Sequence, residues 1–243
     1  MKTMDKIKQK PLPKHVAIIL DGNGRWAKKR GLSRSDGHKH GALNLRRISL
    51  LSEKLGIGVL SVYAFSTENW KRPKAEVDYL MQLPKVFEEE FKDDFEEYHI
   101  RVVFSGRRDR LSKENIALLE RVEKESKTRT GLILNICLDY GSHHELVEAT
   151  KAIASKVKNG ILTIESIDEN VIESHLYTKD LPPVDYLIRT SGEMRLSNFL
   201  LWQVAYAEFY FTKTPWPAFK ERQFLKAIKS YQNRSRRFGG LKG

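Results

Sequence analysis

The sequence predicts an α/β fold: a single domain with a mostly parallel central sheet that is flanked by helices. Short apolar runs rich in β-branched residues recur along the chain, and segments with helical periodicity lie between them. Strands that are apolar almost throughout are typical of sheets buried on both faces. Their alternation with helices is typical of a parallel sheet. The length of 243 residues is sufficient for one large domain.

Six of these apolar runs are predicted to be strands. They cover residues 15–20, 57–65, 100–105, 132–138, 186–189 and 208–211. A basic segment, residues 1–14, precedes the first strand, and we expect it to be flexible. The domain itself is then expected to cover residues 15–241.

Helices are predicted where apolar residues recur at spacings of three and four. We expect one helix to begin after a break at Gly41, and one face of it carries Leu45, Ile48, Leu51 and Leu55. Two further stripes are formed by Phe87, Phe91 and Phe95 and by Phe224, Ile228 and Tyr231. Pro84 fits the start of a helix better than its interior, so we expect it to separate a helix over 74–82 from the next one.

The charge of the chain favours an anionic partner. Lys and Arg number 43 against 31 Asp and Glu, which gives a formal net charge of +12. Such a surplus is typical of proteins that bind nucleic acid, a membrane surface or phosphorylated small molecules. The single cysteine, Cys137, excludes an internal disulfide. Together with the absence of a secretory signal or a bilayer-spanning apolar stretch, it predicts a cytoplasmic location.

The loop after the first strand, Asp21-Gly22-Asn23-Gly24-Arg25-Trp26, has the features of a phosphate cradle. Gly22, Gly24 and Ala27 also match the dinucleotide pattern G-x-G-x-x-A. A dinucleotide loop, however, needs an acid about 20 residues beyond its glycines, after the second strand, and that strand ends only near Phe65. The charge of Asp21 ahead of the glycines would repel a pyrophosphate unless a metal lay between them. We therefore predict a phosphate site of a different kind.

Polar side chains also follow the second and fifth strands, and Arg34 and His38 follow the first helix. They are Ser66, Glu68, Asn69, Trp70 and Arg72 after the second strand and Arg189, Ser191, Glu193, Arg195, Ser197 and Asn198 at the fifth. Each loop alone could be only a turn or a helix cap. In parallel sheets, however, ligands bind at the carboxyl ends of the strands, and arginine forks match phosphate oxygens.

Two cationic groups at one sheet edge predict a site for two anionic groups. One group comes from the first two loops and the other from residues 189–197. Asp21 and Glu208, at the sixth strand, are then the candidate oxygen ligands of a divalent ion that bridges phosphates.

The ordered set of motifs resembles the cis-prenyltransferase family. The matching segments extend from residue 15 to residue 241, and they are HVAIILDGNGRWAKKRG, GHKHG, VYAFSTENWKRP, LIRTSGEMRLSNFLLWQVAYAEFYF, WPAF and YQNRSRRFGGL. The resemblance implies a homodimeric enzyme that condenses isopentenyl diphosphate with an allylic diphosphate such as farnesyl diphosphate, with Mg²⁺ as cofactor. It also implies a long-chain product such as undecaprenyl diphosphate, a lipid carrier for cell-wall synthesis, and peripheral membrane contact for its release.

The resemblance assigns roles residue by residue. Asp21 is implied to hold Mg²⁺ and to assist loss of the allylic diphosphate, with Glu208 contributed to the metal across the dimer. The allylic site is implied to contain Gly22, Asn23, Gly24, Arg25, Arg34 and Arg72, with His38 beside it, and the isopentenyl site Arg189, Arg195 and Ser197. The residues implied to order the reacting groups and the lid are Ser66, Asn69 and Trp70, and Trp26 and Glu68 are further predicted substrate-binding residues. Asn23, Ser66 and a phosphate oxygen are alternative proton acceptors. The apolar stripe of the helices at 73–96 is either the wall of an apolar tunnel for the growing chain or ordinary core.

Several features of the sequence admit a different function or product. The tail YQNRSRRFGGLKG mixes arginines with aromatics, as a basic nucleic-acid-binding protein would, although we expect no nucleic acid as partner. The sequence also leaves open a short- or medium-chain product and a catalytically silent subunit. The family pattern N-Y-G-G-R is replaced by Asp139-Tyr140-Gly141-Ser142-His143, and we expect this change to alter affinity or product length rather than to abolish activity.

Overall fold

The computed structural model describes residues 2–234, and within them a six-stranded sheet forms the centre of the protein. The strand order is β3-β4-β2-β1-β5-β6, and every neighbouring pair is parallel. The strands are β1 (His15–Ile19), β2 (Val59–Ser66), β3 (Arg101–Ser105), β4 (Ile133–Tyr140), β5 (Tyr186–Arg189) and β6 (Glu208–Phe211). The predicted strands are confirmed, with bounds that differ by no more than two residues.

Helices flank the sheet, as predicted. They are α1 (Lys2–Lys8), α2 (Asn23–Lys28), α3 (Arg34–Leu55), α4 (Lys74–Glu97), α5 (Lys113–Ser126), α6 (Ser142–Lys158), α7 (Glu169–Glu173) and α8 (Glu221–Gln232). A 3-10 helix, Thr67–Lys71, joins β2 to α4. Within the described residues, no helix combines the length and the apolar character that crossing a membrane requires.

The two faces of the sheet contribute to separate parts of the core. Val16 and Ile18 of β1 pack with residues of α3 and α8, whereas Ala17 and Ile19 pack with Phe199 on the opposite side. Successive side chains of a strand point to opposite faces, and both sets are buried here. This two-sided burial is why the strands are mostly apolar.

The predicted helix break at Gly41 is wrong, because α3 is continuous from Arg34 to Leu55. A side chain at Gly41 would place its Cβ 2.6 Å from Oδ1 of Asn23 on α2. Glycine therefore allows α2 and α3 to approach closely and does not end the helix. The cost of a glycine inside a helix, about 1 kcal/mol relative to alanine, is small beside the packing it permits.

The prediction that Pro84 begins a helix is also wrong, since Pro84 lies inside α4. Proline removes one helical hydrogen bond and crowds the preceding turn. The apolar stripe on both sides of it compensates: Leu80 is buried before it, and Phe91 and Phe95 are buried after it. The ring of Phe87 lies 5.0 Å from that of Phe91. Burial of this stripe stabilises a single helix.

The segment 1–14, predicted to be flexible, contains α1. Ile7 is fully buried, and Nε2 of Gln232 on α8 donates a hydrogen bond to its carbonyl oxygen at 2.8 Å. An apolar side chain within a basic segment thus docks this helix on the domain.

A buried polar chain crosses the sheet from β1 to β3. His15 Nδ1 donates to the carbonyl oxygen of Pro182 at 2.7 Å, and its Nε2 lies 2.7 Å from Oγ of Ser61. Ser61 Oγ accepts a hydrogen bond from Asn135 at 2.9 Å, and Ser105 donates to the same amide side chain at 2.8 Å. In this arrangement His15 is neutral, with its proton on Nδ1.

We expect His15 to make folding stability depend on pH. Burial lowers the pKa of His15 to about 4, whereas an unfolded histidine titrates near 6.5. Between these values the unfolded chain binds a proton that the folded protein does not. The contribution of His15 to the free energy of unfolding is therefore complete above pH 6.5 and is lost as the pH falls toward 4. The contribution amounts to about 3 kcal/mol. Urea unfolding from pH 7 to pH 4.5 measures it, and His15→Gln should flatten the profile.

The exposed His143 provides the matched control. His143→Gln makes the same substitution at an exposed position and should retain the loss of stability between pH 6.5 and pH 4, because it leaves the buried surroundings of His15 intact. An identical pH dependence in the wild type and His15→Gln would contradict the prediction.

Candidate active site

The loops that follow β1, β2 and β5 meet at the carboxyl ends of the strands. These strands are neighbours in the order β2-β1-β5, and all of them run in the same direction. The predicted site residues after Ile19, Phe65 and Ile188 therefore project from adjacent strand ends. Two clusters of charged side chains form there.

The first cluster is centred on Asp21. Its Oδ1 accepts a hydrogen bond from Arg25 Nη2 at 2.9 Å, and its Oδ2 accepts one from Arg189 Nη2 at 3.0 Å. Arg189 is nearly buried, with 5% of its side chain exposed, and its Nη1 donates to Ser197 Oγ at 2.8 Å and to the carbonyl oxygen of Arg195. We call these five residues the Asp21 cluster. Its fork geometry is typical of sites that bind phosphate oxygens.

The backbone of Asp21 is fixed by its neighbours. Its carbonyl oxygen accepts hydrogen bonds from Thr190 Oγ1 at 2.7 Å and from the Trp216 amide at 2.9 Å. The next residue, Gly22, has φ of 100°, and an added Cβ would lie 2.5 Å from Ser191 Oγ. Only glycine is compatible with this turn. The sequence therefore holds the carboxylate rigidly at the strand end.

The second cluster contains a residue that the sequence motifs did not reveal, Glu76. Its Oε1 accepts a hydrogen bond from Arg72 Nη1 at 3.0 Å, forms an ion pair with Arg34 Nε at 3.0 Å, and lies 3.3 Å from His38 Nε2. The Glu76 side chain is 9% exposed. The spacing of four residues between Arg72 and Glu76 is the one sequence signal for this contact. We call these four residues the Glu76 cluster.

A third carboxylate, Glu193, bridges two arginines near the Asp21 cluster. Its Oε1 lies 3.1 Å from Arg25 Nη1, and its Oε2 lies 2.5 Å from Arg195 Nη1. The Arg195 guanidinium holds the pKa of the Glu193 carboxyl below its ordinary value. Together, the two clusters and Glu193 contain five arginines and three carboxylates, which leaves a surplus of two positive charges.

Both clusters border one cavity of about 890 Å³. This volume is within the range of small-molecule sites. The polar side chains that line it are Asp21, Asn23, Arg25, Lys28, Arg34, His38, Ser66, Asn69, Arg72, Arg189, Arg195 and Ser197. The apolar lining includes Leu45, Leu80, Leu83, Pro84, Phe87, Phe104, Ile136 and Leu138. The cavity can therefore hold a molecule with an anionic head and an apolar body.

Most residues of the predicted site line this cavity, together with Gly22 and Gly24. Ser66 and Asn69 belong to the loop after β2, where the Ser66 amide donates to Asn69 Oδ1 at 3.1 Å. Asn23 Oδ1 is buried and has no hydrogen-bond partner within residues 2–234.

Three predicted substrate-binding residues do not line the cavity as described over residues 2–234. The Trp26 ring lies 4.7 Å from that of His40, and Glu68 accepts a hydrogen bond from Asn198 at 3.0 Å. The third residue is Trp70, which points toward β4. Contact of these side chains with substrate stays a prediction.

Trp70 is held by the segment that departs from the family pattern. Its Nε1 donates to Asp139 Oδ1 at 2.9 Å, and Arg110 Nε donates to Oδ2 of the same carboxylate at 2.9 Å. Asp139 is fully buried, so the acid at this position is neutralised by an arginine. His143 is exposed, and its backbone amide donates to Asn198 Oδ1. The predicted effect on affinity or product length stays a prediction.

Glu208 lies at the amino ends of the strands, whereas Asp21 lies at their carboxyl ends. It pairs with Tyr186 at the start of β5, whereas Ile19 of β1 pairs with Arg189 at its end. Three residues of strand separate the two levels by about 10 Å. Its carboxylate contacts Arg234 at 2.6 Å. One chain therefore does not bring Asp21 and Glu208 together, and a metal that both residues hold requires a second subunit.

The parallel sheet, the paired arginines and the partly apolar cavity define a class of protein, one with a site for a molecule that has an anionic head and an apolar body. The comparison with known families identifies the particular family. Residues 19–239 match the family model described as "Putative undecaprenyl diphosphate synthase". The chain belongs to this family of cis-prenyltransferases, and the resemblance noted in the sequence is confirmed.

Relatives match over almost the whole chain. An isoprenyl transferase of Geobacillus kaustophilus is 50% identical over 239 residues, which cover 98% of this chain and 93% of that protein. The crystal structure of lavandulyl diphosphate synthase from Lavandula x intermedia, in complex with dimethylallyl diphosphate, has a TM-score of 0.92 and 38% identity, and the match covers 97% of this chain and all of that one. A probable undecaprenyl diphosphate synthase from Campylobacter jejuni has a TM-score of 0.77 and 32% identity, with coverage of 95% and 99%.

Proposed function

We propose that the protein condenses isopentenyl diphosphate with an allylic diphosphate in a Mg²⁺-dependent reaction and forms a cis double bond in each round. The observation that carries this proposal is that two cationic clusters border one cavity whose lining is partly apolar. Each cluster fits one diphosphate, and the apolar lining fits the prenyl chain.

The allylic diphosphate is assigned to the Glu76 cluster together with Asn23 and Arg25. The isopentenyl diphosphate is assigned to Arg189, Arg195 and Ser197. Arg25 and Arg189 both donate to Asp21, so this carboxylate lies between the two proposed diphosphate positions. Such an arrangement brings the reacting carbons together, which supplies much of the rate for a weak alkene nucleophile.

The chemistry begins with loss of the allylic diphosphate. The bond between C1 and oxygen breaks, and its electron pair leaves with the diphosphate. Arginine side chains stabilise this charge most effectively where water is excluded. The alkene of isopentenyl diphosphate then attacks C1, and a proton is lost to Asn23, Ser66 or a phosphate oxygen.

Asp21 fits the role of metal ligand. Its carboxylate borders the cavity with 24% of the side chain exposed, and Mg²⁺ is usually held by one or two carboxylates together with substrate phosphates. Mg²⁺ supplies positive charge beside the departing diphosphate when it is bound. Glu208 of a second subunit is proposed as the other carboxylate, which makes the homodimer the active form.

We propose a long-chain product such as undecaprenyl diphosphate, with farnesyl diphosphate as starter and a role as cell-wall lipid carrier. Bacterial isoprenyl transferases at about half identity support this assignment. Peripheral membrane contact would serve release of such a lipid. The cytoplasmic location stays a prediction. A short- or medium-chain product is the second candidate, favoured by the close structural likeness to lavandulyl diphosphate synthase.

Incubation of the purified protein with farnesyl or dimethylallyl diphosphate, labelled isopentenyl diphosphate and Mg²⁺, followed by sizing of the products, tests the proposal. We expect long labelled chains from farnesyl diphosphate. Absence of incorporation with either starter would contradict the enzymatic function, and a product of one or two additions would contradict the undecaprenyl assignment.

Ala64 offers a test of the cavity as the site of the growing chain. It lies in β2 beside an irregularity in the register with β4, and it is exposed to the cavity. Ala64→Leu should fill part of this space and shorten the products. Ala154→Leu, at an exposed position on α6, is the matched control and should leave product length unchanged. Equal lengths in the two variants would refute an elongating chain beside Ala64.

The nucleic-acid alternative has its own test. Residues 235–243 of the arginine-rich tail lie outside the described residues. Filter binding of RNA over a range of salt concentrations should give weak binding. Tight binding with a steep salt dependence, without prenyl transfer, would favour the alternative.

A further inference from the structure

We infer that Glu76 is a positioning residue for the allylic diphosphate: it gathers Arg34, Arg72 and His38 into one anion-binding group and acts on the substrate only through them. The inference rests on the proposed function for the identity of the ligand. It concerns a carboxylate that neither the motifs nor the predicted site contained.

Glu76 is placed behind the three side chains that it contacts. Arg34, His38 and Arg72 line the cavity, whereas Glu76, at 9% exposure, is not part of the lining described over residues 2–234. The partners come from different elements: α3 carries Arg34 and His38, and Arg72 directly follows the 3-10 helix. One carboxylate oxygen of α4 therefore joins three parts of the fold.

The contacts leave hydrogen-bond donors free for a ligand. Arg34 uses Nε and Arg72 uses Nη1 toward Glu76 Oε1, each at 3.0 Å. A guanidinium has five N–H donors, so both arginines keep further donors. Without the carboxylate, the two guanidinium charges would repel each other and separate. The ion pair of Arg34 with Glu76 and the charge-assisted hydrogen bond from Arg72 hold the two guanidinium groups together before the substrate arrives.

Glu76 also sets the tautomer of His38. A carboxylate oxygen accepts hydrogen bonds, so the proton of a neutral His38 lies on Nε2, which is 3.3 Å from Glu76 Oε1. The other ring nitrogen, Nδ1, is then the acceptor for Asn23 Nδ2 at 3.5 Å. The orientation of the Asn23 amide at the start of α2 therefore depends on a carboxylate at the start of α4.

Binding of inorganic pyrophosphate distinguishes positioning from simple charge. Glu76→Gln removes a negative charge from a cationic site, and Coulomb attraction alone would make pyrophosphate bind more tightly. Positioning predicts the opposite, a Kd weakened by about tenfold. Titration calorimetry in an Arg195→Gln background, which weakens the other proposed diphosphate position, measures it. Unchanged or tighter binding would overturn the inference.

Asp78→Asn is the matched control. Asp78 lies on the same helix and pairs with Lys74 at 2.6 Å, but its side chain is 53% exposed. This variant should bind pyrophosphate as the Arg195→Gln background does. Glu76→Asp retains the charge on a shorter side chain and should weaken binding to a smaller degree than Glu76→Gln. If Glu76→Gln fails to fold, weaker binding by Glu76→Asp supports the inference, and unchanged binding overturns it.

A second readout follows His38 directly. Burial lowers the pKa of His38, Glu76 opposes this shift, and Arg72 and Arg34 add to it. Removal of the Glu76 charge should lower the NMR titration midpoint of His38 further, and an unchanged midpoint would contradict the contact. Neither readout needs turnover. A protein that binds pyrophosphate but does not transfer prenyl groups would therefore refute the proposed function and leave the inference about Glu76 intact.

Discussion

Replacement of Asp21 by alanine should lower the rate of prenyl transfer on the order of 10³-fold while isopentenyl diphosphate still binds. The carboxylate lies between Arg25 and Arg189, at 2.9 and 3.0 Å, in the position proposed for the metal. Its removal takes away the proposed metal ligand but leaves both arginines, so the charge proposed to bind diphosphate is retained. Single-turnover rates and equilibrium binding of isopentenyl diphosphate measure the two effects separately.

Asp21→Asn separates the charge from the shape of this side chain. It should be almost as slow as Asp21→Ala, because an amide is a weak ligand for Mg²⁺. Asp180→Ala, at an exposed position, should leave the rate unchanged. A normal turnover rate in Asp21→Ala would show that the role assigned to Asp21 is wrong.

Arg189→Lys should lower kcat/KM for isopentenyl diphosphate by about 10²-fold and destabilise the protein by about 2 kcal/mol. The buried guanidinium of Arg189 donates to Asp21, to Ser197 and to the carbonyl oxygen of Arg195 at the same time. A lysine ammonium is a single point and cannot reach three acceptors in these directions. Steady-state kinetics and urea unfolding measure the two effects.

Arg195→Lys is the control for this prediction. Arg195 belongs to the same cluster, but 63% of its side chain is exposed, so its replacement should affect binding and leave stability within about 0.5 kcal/mol. If Arg189→Lys and Arg195→Lys were equally stable, the buried position of Arg189 would have no consequence for folding, which would contradict the prediction.

The sheet and much of the site were predictable because both depend on local sequence. Strands of a buried parallel sheet are mostly apolar, and this pattern located β1 to β6. Parallel strands place their following loops at the same edge, which brought Asp21 and Arg189 together. Residue type and topology were sufficient for these conclusions.

The remaining features depend on contacts between distant elements. Glu76 is one acid among many on a polar helix face, and its role exists only because α3 places Arg34 and His38 beside it. Pro84 and Gly41 have low helix propensity, but tertiary packing outweighs these local costs. Glu208 begins its strand, and its position at the opposite edge from Asp21 follows from strand register.

The double bond formed in the first condensation tests the central claim most directly. The wild-type protein is incubated with an allylic diphosphate, ¹³C-labelled isopentenyl diphosphate and Mg²⁺, and the geometry of the new double bond is assigned by NMR. We predict a Z double bond that forms only with Mg²⁺ and is lost in Asp21→Ala. An E double bond, or a product formed equally well by Asp21→Ala, would contradict a cis-prenyl transfer at the Asp21 cluster.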